Sequence, residues 1–333
     1  MPSSLKMMSR SHKKLWPPTM LRMTTSGDSA SNAQRRVVVT GSSGLIGTAL
    51  VAALTAAGHP VTRLVRSVPK PGDAIWDPAK GTIDASTLDG AWAVVNLAGA
   101  GIAEKKWTDA QKAEILNSRT TSTTLLATTL KSCSNPPSVF ASGSAIGIYG
   151  DRGEESLGDE ASKGKGFLAD VVAKWEACAQ PAIDAGIRTA FLRTGIVQSV
   201  HGGALKQQLL PFKLALGGRL GSGKQYVPWI SITDEVRAIL HVLHSNLSGP
   251  VNLVGPAPVT NSVYTKALAS ALHRRTLFPI PLFPLKAFYG AELVREMLLS
   301  GARVLPNKLL ADGFTFTHKT IEACLSEVIA TNQ

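Results

Sequence analysis

Apolar and polar positions alternate in blocks along most of the chain, and the blocks predict strands and helices in turn. Val37-Val38-Val39-Thr40 is a β-branched run that reads as a first strand. Residues 45–58 follow with Ala and Leu at helical spacing and a closing Gly58 suited to a C-cap. Residues 61–66 form a second strand, and residues 91–96 a later one that enters a Gly/Ala turn. Residues 107–131 read as a long helix, 138–142 as a strand and 167–186 as one helix. Residues 189–197 read as a strand that leads to Gly202-Gly203. Alternation of this kind predicts a parallel sheet covered by helices on both faces.

Past residue 200 the alternation loosens. Residues 204–216, 233–244 and 261–272 read as helices, with a short strand at 251–254. Pro279, Pro281 and Pro284 make a rigid connector, and a final helical segment runs from 287 to about 300. The expected division is a large domain over 35–250, with parts of the later chain returning to it, and a smaller C-terminal, substrate-side lobe over 251–333. The first 34 residues are rich in Ser, Thr, Lys and Arg and lack the apolar run of a secretory signal. They fit a transit segment for an organelle matrix, either chloroplast stroma or mitochondrion. The alternative is a disordered cytoplasmic tail, or an extension upstream of a start at Met20 or Met23.

Of the 333 residues, 44% are apolar and 17% charged, which allows a sizeable buried core. No run of eighteen apolar residues occurs, so no membrane span is expected. The formal charge is +12, and residues 1–34 carry part of it through Lys6, Arg10, Lys13, Lys14 and Arg22 against Asp28. Lys/Arg runs interleaved with aromatics are missing, so a nucleic-acid partner is not expected; an anionic cofactor is a sufficient reason for some of the excess. Cys133, Cys178 and Cys324 are too scattered for a disulfide framework or a zinc site. His201, His241 and His244 have no acid or Cys at ligand spacing, so no metal is expected.

The strongest chemical signal is Gly41-Ser42-Ser43-Gly44-Leu45-Ile46-Gly47, which follows a strand and opens a helix. The first Gly permits a tight turn, the second lets main-chain N–H groups approach a pyrophosphate, and the third lets helix and strand pack closely. The strand before and the helix after are the context this motif requires. The architecture is then α/β: a Rossmann-type doubly wound parallel sheet with a smaller C-terminal lobe. NAD enzymes usually place an acid at the end of the second strand to hold the ribose 2′-hydroxyl. Here that strand ends Val65-Arg66, with Arg63 nearby and no acid. A guanidinium can pair bidentately with a 2′-phosphate, so the expected cofactor is NADP(H). Leu97-Ala98-Gly99, after the strand ending at Asn96, provides small residues where the chain would pass the cofactor riboses.

These motifs resemble the atypical extended short-chain dehydrogenase/reductases, in particular the SulA-like group of epimerase family proteins. The resemblance covers residues 36 to the C-terminus. It rests on TGSSGLIG from Thr40, WDP from Trp76, NLAGA from Asn96 and the Trp107…Ser118-Arg119 helix. Tyr149-Gly150-Asp151, KWE from Lys174, LRTGIV from Leu192, LPFKLALGG from Leu210 and PWISITD from Pro228 add to it. It closes on Leu305-Pro306 and Gly313-Phe314, which resemble that group's terminal domain of unknown function. The resemblance implies further NADP(H) contacts at Glu114, Arg119 and Ile196. On the residues alone, Glu114 and Arg119 read as exposed helix charges.

Ordinary members of this superfamily use Ser, Tyr and Lys, with the Tyr four positions before the Lys. The phenol exchanges the proton while the Lys lowers its pKa and holds the nicotinamide ribose. Lys174 is the candidate Lys here, yet Asp170 stands four positions before it. Ser142 and Ser144, either side of Gly143, are the candidate hydroxyls. Tyr149 either replaces the missing phenol or packs, and Lys174 either keeps the ribose contact or is a surface charge. Asp234 reads first as a residue that opens the following helix. Two functions follow. One is an NADP(H)-dependent oxidoreductase or epimerase acting on a small-molecule substrate. The other is a non-catalytic NADP(H)-binding regulator or scaffold, since plant proteins resembling this group are linked to plastid division.

Overall fold

The computed structural model describes residues 35–276 and 278–331. The expected transit segment at 1–34 lies outside the described residues. The described residues make one compact unit.

Eight strands form the main sheet. They are β1 (Val37–Thr40), β2 (Val61–Val65), β3 (Asp73–Asp77), β4 (Thr82–Ile83), β5 (Ala93–Asn96), β6 (Val139–Ala145), β7 (Arg188–Thr194) and β8 (Gly249–Leu253). Their spatial order is β8-β7-β6-β5-β1-β2-β3-β4. All neighbours run parallel except β4, which turns back on β3. Every residue of β1 and β5 is buried, as helices on both faces require of central parallel strands. The order reverses between β1 and β5, and the crevice at such a switch point is where open α/β sheets bind ligands.

The helices are α1 (Leu45–Ala56), α2 (Asp109–Lys131), α3 (Phe167–Ala177), α4 (Gln180–Asp184), α5 (Gly203–Lys213), α6 (Ile232–His244), α7 (Asn261–Ala271), α8 (Leu282–Tyr289), α9 (Ala291–Leu293), α10 (Asn307–Ala311) and α11 (Ile321–Ala330). α1 packs with α6, and α2 packs with α3 and α4. A core of Val38, Val94, Leu126, Leu130, Phe140 and Ala182 joins the sheet to α2 and α4. Among the described residues no helix is long and apolar enough to cross a membrane.

Several expected elements divide. The helix expected over 167–186 breaks after Cys178, and Pro181 sits in the first turn of α4, where its missing N–H costs nothing. The strand expected over 189–197 stops at Thr194. Ile196–Gln198 leaves the main sheet and pairs with Trp229–Ser231. Gly195 marks the break, because a Cβ there would lie 2.6 Å from the Pro228 carbonyl oxygen. The segment expected as a helix over 287–300 is interrupted at Gly290, φ +92°, and continues as α9 and a π-helix over Val294–Leu299. The last helix is α11 instead. The later chain returns to the main sheet through β8, which straddles residue 250.

Candidate functional site

The loop from β1 to α1 turns on Gly41, at φ +63°, a left-handed conformation that suits glycine. A Cβ there would drive into the Leu97 carbonyl oxygen. Gly47, in the first turn of α1, lies so close to the loop that a Cβ would come 2.8 Å from Ser42 Cα. Gly44 is the N-cap; no side chain caps the helix and its first turn carries no acid. The first-turn N–H groups and the positive end of α1 are therefore left for an anion. Ser42, Leu45 and Ile46 are half-buried around this cradle, and Ser43 and Gly44 are exposed.

Val65 ends β2, and Arg66 is exposed immediately beyond it. Arg63 is not a second candidate: its guanidinium grips Asp73 on the neighbouring strand at 2.7 and 3.0 Å. Of the two arginines, Arg66 is the one left without that engagement.

A polar ladder fixes the turn after β5. The N–H groups of Leu97 and Ala98 donate to Thr40 Oγ1 at 3.1 and 3.2 Å. Thr40 donates to Asn96 Oδ1 at 2.7 Å. Asn96 Nδ2 and Trp175 Nε1 both donate to Thr123 Oγ1 at 2.9 Å. Beneath the turn lies Arg119, whose Nη1 donates to the Ile115 carbonyl at 2.9 Å and whose guanidinium sits 5.2 Å from the Trp175 ring. A Cβ on Gly99 would lie 3.2 Å from Arg119 Cζ. Among the described residues no carboxylate lies within ion-pairing reach of Arg119. Burial pushes its pKa down to about 10. A desolvated guanidinium without a counter-ion suits a phosphate. The reading of Arg119 as an exposed charge is thus corrected, whereas Glu114 is exposed on α2. Ile196, half-buried, opens the strand that follows β7.

The four catalytic candidates do not assemble as a proton-transfer set. Ser142 is fully buried, and its hydroxyl reaches only the Gly143 carbonyl, at 3.5 Å. Ser144 donates to Glu176 Oε1 at 2.5 Å. Arg193 grips that carboxylate with two parallel bonds of 2.8 and 2.9 Å. It also donates to the Tyr149 hydroxyl at 3.0 Å and the Asp159 carbonyl at 2.9 Å. Tyr149 in turn donates to Asn252 Oδ1 at 2.7 Å. Burial pushes the Tyr149 phenol up, against the opposing pull of Arg193. Tyr149 is fully buried and fully engaged, so of the two roles expected for it the structure favours packing. Lys174 is exposed on α3, and Asp170, also exposed, pairs with Lys163. α3 turns Leu168 and Val172 toward Gly147 instead.

The 228–234 segment is structural, with a reach the sequence did not reveal. Ser231 caps α6 by accepting from the Asp234 N–H at 3.0 Å. Asp234 accepts from the N–H groups of Thr317 and His318 at 2.8 and 2.9 Å, and so holds the C-terminal segment. Among the described residues no cluster could hold a metal ion.

Fold and loop together define a dinucleotide-binding protein of the Rossmann type. The chain belongs to the NAD dependent epimerase/dehydratase family, whose model matches residues 37–255; a domain of unknown function, DUF1731, matches residues 280–328. An epimerase family protein of Mycobacterium tuberculosis is 43% identical over 291 residues, 87% of this chain and 96% of that one. The epimerase family protein SDR39U1 of Homo sapiens is 36% identical over 303 residues, 89% of this chain and all of that one. The crystal structure of human SDR39U1 (isoform 2) with NADPH superimposes with a TM-score of 0.82 at 35% identity, covering 90% of this chain and 100% of that one. A nucleoside-diphosphate sugar epimerase from Corynebacterium glutamicum gives 0.75 at 35% identity; the match covers 91% of this chain but 59% of that longer one. These findings confirm the resemblance read from the motifs.

Proposed function

We propose that this chain binds NADP(H) across the carboxyl ends of β2, β1, β5 and β7 and works as an epimerase-family oxidoreductase on a small molecule. The observation that carries the cofactor reading is Arg119, desolvated beneath the Leu97-Ala98-Gly99 turn and without a counter-ion among the described residues. The N-terminus of α1 and the Gly41–Gly47 loop hold the pyrophosphate, and Arg66 pairs with the 2′-phosphate. The human relative solved with NADPH supports the same choice. The bound cofactor supplies hydride transfer; the protein supplies position and a route for the proton. Of the two candidate serines, Ser144 is the one held by an ionisable partner, Glu176.

NADPH should bind more tightly than NADH to the full chain, as titration calorimetry would show; the reverse order would sink the assignment of Arg66. Incubation with a metabolite extract and NADPH deuterated at the nicotinamide C4 tests turnover, with label expected in one small molecule. A second reading, a non-catalytic NADP(H)-responsive regulator or scaffold, draws on Asp170, which stands four positions before Lys174 in place of a phenol and is exposed and paired with Lys163. Binding without transfer of label to any metabolite would favour it.

A further inference from the structure

Glu235 has no part in the reading above. It stands in the first turn of α6 and is fully buried. Its Oε1 accepts from the Thr194 hydroxyl at 2.8 Å, and its Oε2 has no hydrogen-bond partner. Thr194 is the last residue of β7, so the carboxyl group lies at the carboxyl end of the sheet, where ligands of such sheets bind. From there the chain passes through Ile196 to Gly202, where a Cβ would lie 3.4 Å from the Leu45 side chain at the start of α1. Glu235 thus lies on the α1 side of the sheet, beside the path from β7 to the phosphate-loop helix.

A buried carboxylate needs a counter-charge, and among the described residues no ion pair reaches Glu235; the nearby His318 imidazole is committed to Asp234 and Ser231. The elements packed about α6 include α1, β6, Ile196–Gln198 and Trp229–Ser231, and none of these contains an ionisable residue. On β7, Arg193 is committed to Glu176, and Arg188 to the carbonyls of Val242, Leu243 and Leu247. On α6 itself, Asp234 is held by the C-terminal segment, and Arg237 reaches Asp234, Thr315 and Thr317. Burial pushes Glu235 up to about 8, opposed only by the bond from Thr194. The group therefore keeps its proton at neutral pH and lacks only a nearby positive charge to release it.

We propose that Glu235 discriminates oxidised from reduced cofactor: the cationic nicotinamide of NADP+ draws it into the carboxylate form with loss of one proton to solvent, and the neutral ring of NADPH does not. This rests on the cofactor reading above. The carboxyl is neutral at low pH, so NADP+ must then bear the cost of ionising it. As pH rises that cost falls, and it vanishes once the free protein is already ionised, above about 8. The 2′-phosphate is common to both nucleotides and cancels in their ratio.

The test measures the dissociation constants of NADP+ and NADPH for the full chain by calorimetry, between about pH 6 and about pH 9. The affinity ratio should move toward NADP+ by up to about tenfold per pH unit and level off on the alkaline side. Repeating the NADP+ titration in buffers of different ionisation enthalpy should show proton release, absent with NADPH. Glu235→Gln keeps an acceptor for Thr194, cannot ionise, and should flatten the ratio. A flat ratio in the wild type with both nucleotides bound, or an unchanged slope in Glu235→Gln, overturns the proposal alone. Failure of both nucleotides to bind overturns the cofactor reading as well.

Discussion

At the scale of single residues, the phosphate loop was legible because backbone geometry forces its chemistry: a position at φ +63° against a neighbouring carbonyl selects glycine. Arg119 was legible only through family resemblance. Sequence shows its charge but not the turn folded over it, nor the indole beside it. The same limit hid Glu176–Arg193, which joins KWE to LRTGIV, and the exposure of Lys174 on α3. Arg119 also carries a prediction. Arg119→Met should weaken NADPH binding by about 10- to 100-fold, the worth of a charge-assisted pair of roughly 1.5–3 kcal/mol. Thermal stability should hold or rise, because a desolvated cation with no carboxylate counter-ion among the described residues is removed and the long side chain is kept. Calorimetric titration and a melting curve on the same sample separate the two effects. A loss of stability with unchanged affinity would make Arg119 a structural residue.

At the scale of elements, the strands and helices legible in advance were those whose pattern is set locally, such as the buried runs of β1 and β5. β7 and the strand after it read as one because β-branched residues, Thr194 and Ile196, flank Gly195 on both sides of the break. α11 went unnoticed although Thr320 caps it and Ile321, Cys324, Leu325 and Val328 trace one face, all buried. α3 illustrates a long-range cause. Its N-cap is Gly166, at φ +114° and without a side chain to offer. The N–H groups of Phe167 and Leu168 donate instead to the Glu296 carboxylate at 2.9 and 3.0 Å, from a π-helix far along the chain. Glu296→Ala should therefore cost about 1–2 kcal/mol, as the loss of an N-terminal cap does. Glu296→Gln should recover part of it, since an amide oxygen still accepts but carries no charge. Urea unfolding midpoints of the two variants against the wild type would read this directly. Equal stability of all three would mean that water replaces the carboxylate at no cost.

At the scale of the whole molecule, the C-terminal segment joins the nucleotide-binding body through two buried carboxylates. Asp159 accepts from the N–H groups of Asn252 and Lys308, at 2.6 and 3.0 Å. Asp234 accepts from Thr317 and His318, and the His318 imidazole Nδ1 lies 2.9 Å from Ser231 Oγ and 3.4 Å from Asp234 Oδ2. Its Nε2 lies 3.2 Å from Glu327 without an aligned hydrogen bond. Burial would lower the imidazole's pKa, but Asp234 and Glu327 outweigh it and hold His318 above its ordinary 6.5. For Asp234 burial works upward, and bonds from His318 and Thr317 bring it below 3.8. A raised histidine contributes stability that is complete below 6.5 and is lost as pH rises through its folded value. A depressed aspartate contributes above 3.8 and fails as pH falls through its folded value. Attachment of the segment should therefore be firmest between these limits. His318→Gln should destabilise the protein most below 6.5, with the deficit shrinking as pH rises past it. Urea midpoints of both proteins at several pH values give that difference, and Glu235, present in both, cancels from it. Hydrogen exchange in α11 should follow the same course if the clamp and not the sheet is what loosens. A deficit independent of pH would mean that His318 holds the segment as a neutral hydrogen-bonding ring, and that its charge has no part in the attachment.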